Sequence, residues 1–172
     1  MQWPCPSLDH PGTKFLHENK FIRGKGLFSP AEWRPQAELP DAEYPLILST
    51  GRRLWHYHTT QTRNAKGIDD IFGEEYIEVS FADAKELGIE NGDYVEIASR
   101  RGKVKARAWV TNRSPRGVCW MSFHFGEACA NVLTIDAYDP VTETAEYKAC
   151  AVKIKKVSSA PFEIKRVRQA RP

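Results

Sequence analysis

Residues 79–111 read VSFADAKELGIENGDYVEIASRRGKVKARAWVT, and this stretch decides the fold. Ser80 followed three residues later by Asp83 marks a helix start of the capping-box kind, with Asp83 a shorter substitute for the usual Glu or Gln. The helix runs over residues 81–87 and stops at Gly88, a residue that accepts the left-handed conformation at a helix end. Asn91-Gly92 supplies a tight reversal. Alternation then replaces the helical period. Residues 94–99 put Val95 and Ile97 on one face. Residues 103–110 put Val104, Ala106, Ala108 and Val110 inward and Lys105, Arg107 and Trp109 outward, with Gly102 in the reversal between the strands.

Further short strands are expected on either side, at residues 45–50 (PLILST), 76–80 (YIEVS), 118–123 and 147–157 (YKACAVKIKKV). Six or more short strands with one short helix, bounded by Gly and Pro turns, point to a closed barrel-like β domain. Residues 1–41 read differently. Prolines at 4, 6, 11, 30, 35 and 40 forbid a long helix, yet Trp3, Phe15, Leu16, Phe21, Ile22, Leu27, Phe28 and Trp33 are too apolar for a solvated linker. This segment is expected to be an extended N-terminal arm that packs on another surface. The organisation expected is therefore arm 1–41, barrel 42–157 and a basic tail 158–172.

The 172 residues are 41% hydrophobic and 27% charged, enough to bury a core within one domain. The net charge of +3 comes from the tail, where Lys165, Arg166, Arg168 and Arg171 face only Glu163, so the barrel itself gives no support to nucleic-acid binding. No apolar run approaches the ~20 residues that cross a bilayer, and the first residues lack a secretory pattern, so a cytoplasmic setting and no membrane span are expected. Cys5, Cys119, Cys129 and Cys150 are too far apart for a CxxC metal or redox pair and favour a reducing compartment. Cys119 and Cys150 fall in strands and read as small core residues.

Two regions carry the candidate chemistry. Residues 51–53, Gly-Arg-Arg, end an apolar strand and lead into LWHYHTTQTRNAKG, a junction where backbone amides and arginines can meet phosphate oxygens. His56 and His58 lack a third ligand at useful spacing and read as hydrogen-bonding or packing groups rather than a metal pair. Residues 118–148 open as an apolar run and then present His124, Glu127, Asn131, Thr134, Asp136, Asp139 and Lys148 with little period. From the residues alone this is either a strand and a long polar loop closing a small β domain, or a docking surface for a large polar ligand.

Three segments resemble a known family: QWPCPSLDHPGTKFLHENKF at 2–21, YPLILSTGRRLWHYHTTQTRN at 44–64 and FHFGEACANVLTIDAYDPVTETAEYKACAV at 123–152. Together with the helix-turn-hairpin phrase, they make residues 2–157 similar to the C-terminal molybdopterin dinucleotide-binding domain of molybdenum- or tungsten-dependent formate dehydrogenase catalytic (alpha) subunits. The resemblance implies a mainly β double-psi β-barrel and a bis(molybdopterin guanine dinucleotide) cofactor shared with the rest of an enzyme. It implies that Gly51, Arg52 and the turn His58-Thr59-Thr60 line the phosphate and pterin side, with Thr62 and Arg63 nearby. Asn131 would hydrogen-bond the pterin, and Tyr147 with Lys148 would close over the same ligand. The usual family phrase His-Thr-Gly-Thr-Met-Thr-Arg-Arg is one residue longer than the segment here, where Asn64 also replaces an arginine.

In that family formate is oxidised to carbon dioxide at a molybdenum or tungsten atom held by two pterin dithiolenes and a cysteine or selenocysteine. An arginine and a histidine stand beside the metal, and an iron–sulfur cluster removes the electrons. None of those elements is assignable here, so no catalytic or metal-ligating residue is expected in this chain. The implied partners are a larger catalytic chain carrying the metal-ligating and iron–sulfur domains, and electron-transfer subunits. The isolated chain is expected to be inactive. Two alternatives stay open: a non-catalytic barrel serving assembly or cofactor delivery, and the equivalent domain of a nitrate reductase or formylmethanofuran dehydrogenase.

Overall fold

The helix and hairpin expected over 79–111 form as the sequence dictates. In the computed structural model, which describes residues 5, 7–12, 14–17, 19–21 and 23–157, Ser80 accepts the Asp83 amide at 3.1 Å and Gly88 ends helix α2 (Phe81–Leu87) at φ 65°. The Asp83 carboxylate does not reach back to the Ser80 amide. It accepts from the Ser80 hydroxyl at 2.6 Å and from the Gly117 amide at 2.9 Å, and so ties the helix to a distant turn. Strands β3 (Tyr94–Ala98) and β4 (Lys103–Val110) pair antiparallel, with Tyr94 opposite Arg107 and Ala98 opposite Lys103. Val95, Ile97, Ala106 and Ala108 are buried on the shared inner face, as their alternation requires.

Strands β1 (Leu46–Gly51), β2 (Tyr76–Val79), β5 (Val118–Ser122) and β6 (Cys150–Lys156) complete a closed ring in the order β1-β5-β2-β4-β3-β6. The pairs β1·β5 and β2·β4 are parallel, and the other pairs of the ring are antiparallel. This is the double-psi β-barrel class. Leu48, Ile77, Val79, Met121, Leu133, Val152 and Ile154 fill the interior with Cys119 and Cys150, each large apolar side chain contributing about 1.5–3 kcal/mol. Both cysteines are free, and burial pushes their thiols up, that of Cys150 to about 11, so they are packing groups.

The closing strand starts at Cys150 rather than Tyr147. Before it the backbone is engaged elsewhere: Thr50 donates its hydroxyl to the Tyr147 carbonyl at 2.7 Å. The stretch expected as a long polar loop holds two 3₁₀ turns, Gly126–Ala128 and Ala130–Val132, anchored by buried Ala128, Ala130 and Leu133. A single helical turn, α1 (Ile68–Ile71), lies between β1 and β2.

The chain divides into two units, Met1–Arg34 and Pro35–Pro172. Within the first, the described residues form one isolated bridge, Phe21 to Gly24, and expose Leu8, Leu27, Phe28 and Trp33. Trp3, Ile22 and the basic tail 158–172 lie outside the described residues. In the second unit, residues 35–41 are held by Glu38, whose carboxylate accepts from Arg100 at 2.7 Å, from Arg101 at 2.7 and 2.8 Å, and from the Ala151 amide at 2.8 Å.

Candidate functional site

Gly51 closes β1 beneath Trp120. A Cβ there would lie 2.7 Å from the indole, so packing demands the glycine. The two arginines that follow have opposite fates. Arg52 is exposed and has no hydrogen bond or ion pair among the described residues. Arg53 is buried, paired with Glu75 at 3.1 Å and Glu78 at 3.0 Å, bonded to the Tyr76 carbonyl, and stacked 4.6 Å from Trp120 and 4.7 Å from Phe72. Arg53 thus fixes the corner from which Arg52 projects.

Beyond the corner, three imidazoles pack together. His56 places Nε2 2.6 Å from the Phe72 carbonyl and Nδ1 3.1 Å from the Thr62 hydroxyl. A carbonyl only accepts, so Nε2 carries a proton, while the Thr62 hydroxyl at Nδ1 also lies 3.3 Å from the Tyr57 carbonyl. His124 stacks on His56 at 4.0 Å and meets His58 edge-on at 6.2 Å. His58 leans on Phe123 at 4.8 Å, and Phe123 meets Tyr147 at 6.1 Å. Lys148 lies over both of those rings at 5.3 and 5.1 Å and donates to the Thr50 carbonyl at 3.1 Å.

His58 and His124 are 5% and 0% exposed, yet all four of their ring nitrogens lack a partner. Each such atom costs about 1–3 kcal/mol unless something arrives to bond it. Burial holds His58 below the usual histidine range, with Arg52, His56 and Lys148 adding to the effect. Burial lowers His124 to about 4, with His56, His58 and Arg63 adding and Asp69 opposing. At neutral pH His124 is uncharged, and the cluster is a wall of imidazole beside two cations, Arg52 and Lys148.

Thr59 and Thr60 adopt φ of 61° and 62°, a region that β-branched residues avoid. The strain sits in the turn that carries His58. Thr60→Gly is expected to raise stability by about 1 kcal/mol, because ~1–3 kcal/mol of relieved strain outweighs the ~0.5–1 kcal/mol entropic cost of glycine. Urea unfolding of the purified chain checks this.

The sequence-expected residues therefore separate into groups. Gly51, Arg52, His58, Tyr147 and Lys148 gather at one end of β1, with Thr59 and Thr60 in the adjoining turn. Thr62 and Arg63 are engaged internally: Thr62 with His56, and Arg63 with Asp69 at 2.8 Å and Glu127 at 2.6 Å. Asn131 is exposed on the second 3₁₀ turn, its side-chain amide unbonded among the described residues. That turn is pinned by Arg101, which donates twice to the Leu133 carbonyl at 3.1 and 2.9 Å. A cavity of about 1060 Å³ has Arg63, Lys103, Lys105, Arg107, Glu127 and Cys129 among its lining residues, so of the sequence-expected residues it takes in Arg63. Among the described residues no cluster of three His, Cys, Asp or Glu side chains is arranged to hold a metal.

Sequence reasoning missed Arg53 and the complete burial of His124. The signal for Arg53 was the pair Glu75 and Glu78 around an apolar strand, which needs a buried cation. For His124 it was an apolar run continuing through an imidazole.

Residues 46–151, from the first residue of β1 into β6, match the family model described as Molydopterin dinucleotide binding domain. The F420-dependent formate dehydrogenase 2 subunit alpha of Methanococcus maripaludis is 51% identical over 160 residues, covering 91% of this chain and 24% of that protein. A nitrate reductase of Symbiobacterium thermophilum is 45% identical over 138 residues, covering 77% of this chain and 18% of that protein. Acetylene hydratase from Pelobacter acetylenicus superposes with a TM-score of 0.59 at 16% identity over 66% of this chain and 18% of its own, which speaks to the fold alone. The chain spans about a quarter of the length of the formate dehydrogenase relative.

Proposed function

The chain belongs to the family of molydopterin dinucleotide binding domains, and we propose that it forms one wall of the cofactor site of a formate dehydrogenase alpha subunit. The observation that carries this reading is the pair of exposed cations at the end of β1, Arg52 unbonded among the described residues and Lys148 held by the Thr50 carbonyl, in a chain 51% identical to such a subunit. The ligand is a bis(molybdopterin guanine dinucleotide). Its polyanionic part needs charge-assisted donors, which Arg52 and Lys148 supply. Asn131 offers an amide to the pterin, and Tyr147 lies against the same ligand. Thr59 and Thr60 shape the turn, while Thr62 and Arg63 hold it in place.

When bound, the cofactor supplies the molybdenum or tungsten centre at which formate is oxidised to carbon dioxide. This chain's residues bind and orient the cofactor, and the metal ligand, the proton-handling groups and the iron–sulfur cluster belong to a larger catalytic chain served by electron-transfer subunits. No helix among the described residues is long and apolar enough to cross a membrane, and the cysteines are free, which supports a reducing, cytoplasmic setting. A second reading, the same wall in a nitrate reductase, is favoured by the 45% identity to that enzyme.

Native mass spectrometry with metal analysis, and dye-linked assays of the chain alone and with the remaining alpha-subunit domains, test the proposal. The chain alone is expected to show no formate-dependent dye reduction, and the complex to show it together with bound pterin and metal. Lys148→Ala and Asn131→Ala are expected to lower pterin and metal content without unfolding the barrel. Formate turnover by the pure chain would contradict the need for a partner. Nitrate-dependent turnover without formate turnover would select the second reading.

A further inference from the structure

Just past Arg52, four large side chains stand outward. Leu54, Tyr57 and Ile71 are 88%, 66% and 64% exposed, and Trp55 is half-exposed. Single exposed apolar residues are ordinary on any surface, but these four are gathered and held. The His56 ring bonds to the Phe72 carbonyl at 2.6 Å and the Trp55 indole stacks on the Phe72 ring at 5.4 Å and 15°, so residues 54–57 lie beside residues 71–72. The Tyr57 amide donates to the Thr62 hydroxyl at 3.0 Å, and the Phe72 ring rests on the buried Arg53 guanidinium at 4.7 Å. The ion pairs of Arg53 with Glu75 and Glu78 thus underlie a patch with little freedom left to lose on contact, the condition under which exposed aromatic and aliphatic side chains anchor an interface. We propose that Leu54, Trp55, Tyr57 and Ile71 form the docking patch on which the remaining part of the alpha-subunit polypeptide seats, through an apolar surface of its own.

Two observations select that occupant. This chain spans about a quarter of the formate dehydrogenase relative, which leaves a body of about three quarters of such a subunit to be placed against it. The patch also continues directly from Arg52 along the chain, through the corner that Arg53 fixes. A dinucleotide shared between two bodies is reached from both, so the bodies meet around the end of β1, with an apolar contact beside the charged one. A second copy of this chain fits less well. A two-fold contact sets each patch against itself and brings the Arg52 and Lys148 of one copy toward those of the other, and like charges so placed repel. This inference rests on the cofactor reading above and deepens it by naming the surface that meets the rest of the enzyme.

The test co-expresses this chain with the remaining alpha-subunit domains and measures how much of it co-purifies, together with hydroxyl-radical footprinting of the free chain and of the complex. Leu54, Trp55, Tyr57 and Ile71 are expected to be oxidised in the free chain and protected in the complex. Leu54→Asp and Ile71→Asp, on two separate segments, are each expected to lower co-purification about tenfold, with the melting temperature of the free chain nearly unchanged because both side chains stand outward. Leu54→Met is expected to associate as the wild type does. If one Asp variant does not fold, the other carries the test. High salt is expected to leave the association in place, whereas docking through Arg52 and Lys148 alone would dissolve. Wild-type association in both Asp variants, or equal oxidation of the four residues in the free chain and the complex, would overturn this inference, and pterin bound in that complex would leave the cofactor reading standing. Dimerisation of the free chain that Leu54→Asp abolishes would make a second copy the occupant and overturn it as well. A complex that forms through the patch but holds no pterin would overturn the cofactor reading instead.

Discussion

Arg53→Ala is expected to lower the stability of the barrel by about 3–5 kcal/mol, seen as a large drop in urea midpoint, because it strands the buried Glu75 carboxylate and leaves Glu78 only the more distant Arg113 at 3.7 Å. The side chains of Arg53, Glu75 and Glu78 are 3%, 1% and 4% exposed, so water cannot replace the lost cation. Burial already pushes the Glu75 carboxyl up, held back by Arg53 and by its bonds from Ser122. Without Arg53 it rises further. A carboxyl whose folded pKa is raised contributes stability below its unfolded pKa and loses it as pH rises through the folded value. The deficit of Arg53→Ala should therefore be small near pH 4 and grow toward neutrality. The triple variant Arg53→Met/Glu75→Gln/Glu78→Gln, which leaves no net charge buried, should recover much of the loss. A pH-independent deficit, or none, would show that the triad does not hold the corner.

Glu38→Gln is expected to cost about 2 kcal/mol at neutral pH. Hydrogen bonding from Arg101, with help from the Ala151 amide and Arg100 and against burial, holds the Glu38 carboxyl down from 4.5 to about 2. The full shift would convert to roughly 3 kcal/mol, and the partial exposure of both arginines reduces it. The folded pKa is depressed, so this stability is present above about pH 4.5 and lost as pH falls toward 2. Acid unfolding curves should show that loss in the wild type and a flatter limb in Glu38→Gln. Identical curves would mean that Glu38 is not the tie. The same carboxylate orients Arg101, which holds the Leu133 carbonyl and with it the turn bearing Asn131, so the variant should also increase amide exchange at residues 130–134.

How much of this was legible beforehand depended on the range over which each feature is encoded. The cap at Ser80, the stop at Gly88 and the hairpin 94–110 are written in neighbouring residues and appear as expected, whereas Asp83 turns from the Ser80 amide to the distant Gly117. The parallel pairing of Ile47 with Val118 and of Ile77 with Ala108 is not. Nothing local in an apolar strand says which distant strand lies beside it, so a closed barrel could be read from the short strands and turns, whereas its double-psi class came through family likeness. At the site, Lys148 and His58 stood out as polar groups in aperiodic segments, whereas Arg53 was hidden by sitting next to Arg52. Two adjacent arginines look alike in sequence, and only the turn after Gly51 sends one to solvent and the other beneath Trp120. His124 was read as a polar group presented after an apolar run, and its complete burial was not legible there.

Strand β6 pairs with β1 on one side and β3 on the other, and so it is the stave that shuts the barrel. On a ribosome adding about 5–20 residues per second, β1 emerges on the order of ten seconds before its last partner does. Throughout that interval β1 and β3 are open edges with unpaired amides and carbonyls, available to any other extended chain. Once β6 is in place no edge is left, and strand addition is closed off as a way of joining this ring to another protein. The finished barrel can then associate only through loops and side chains, while the nascent one is exposed to mispairing until its final strand arrives.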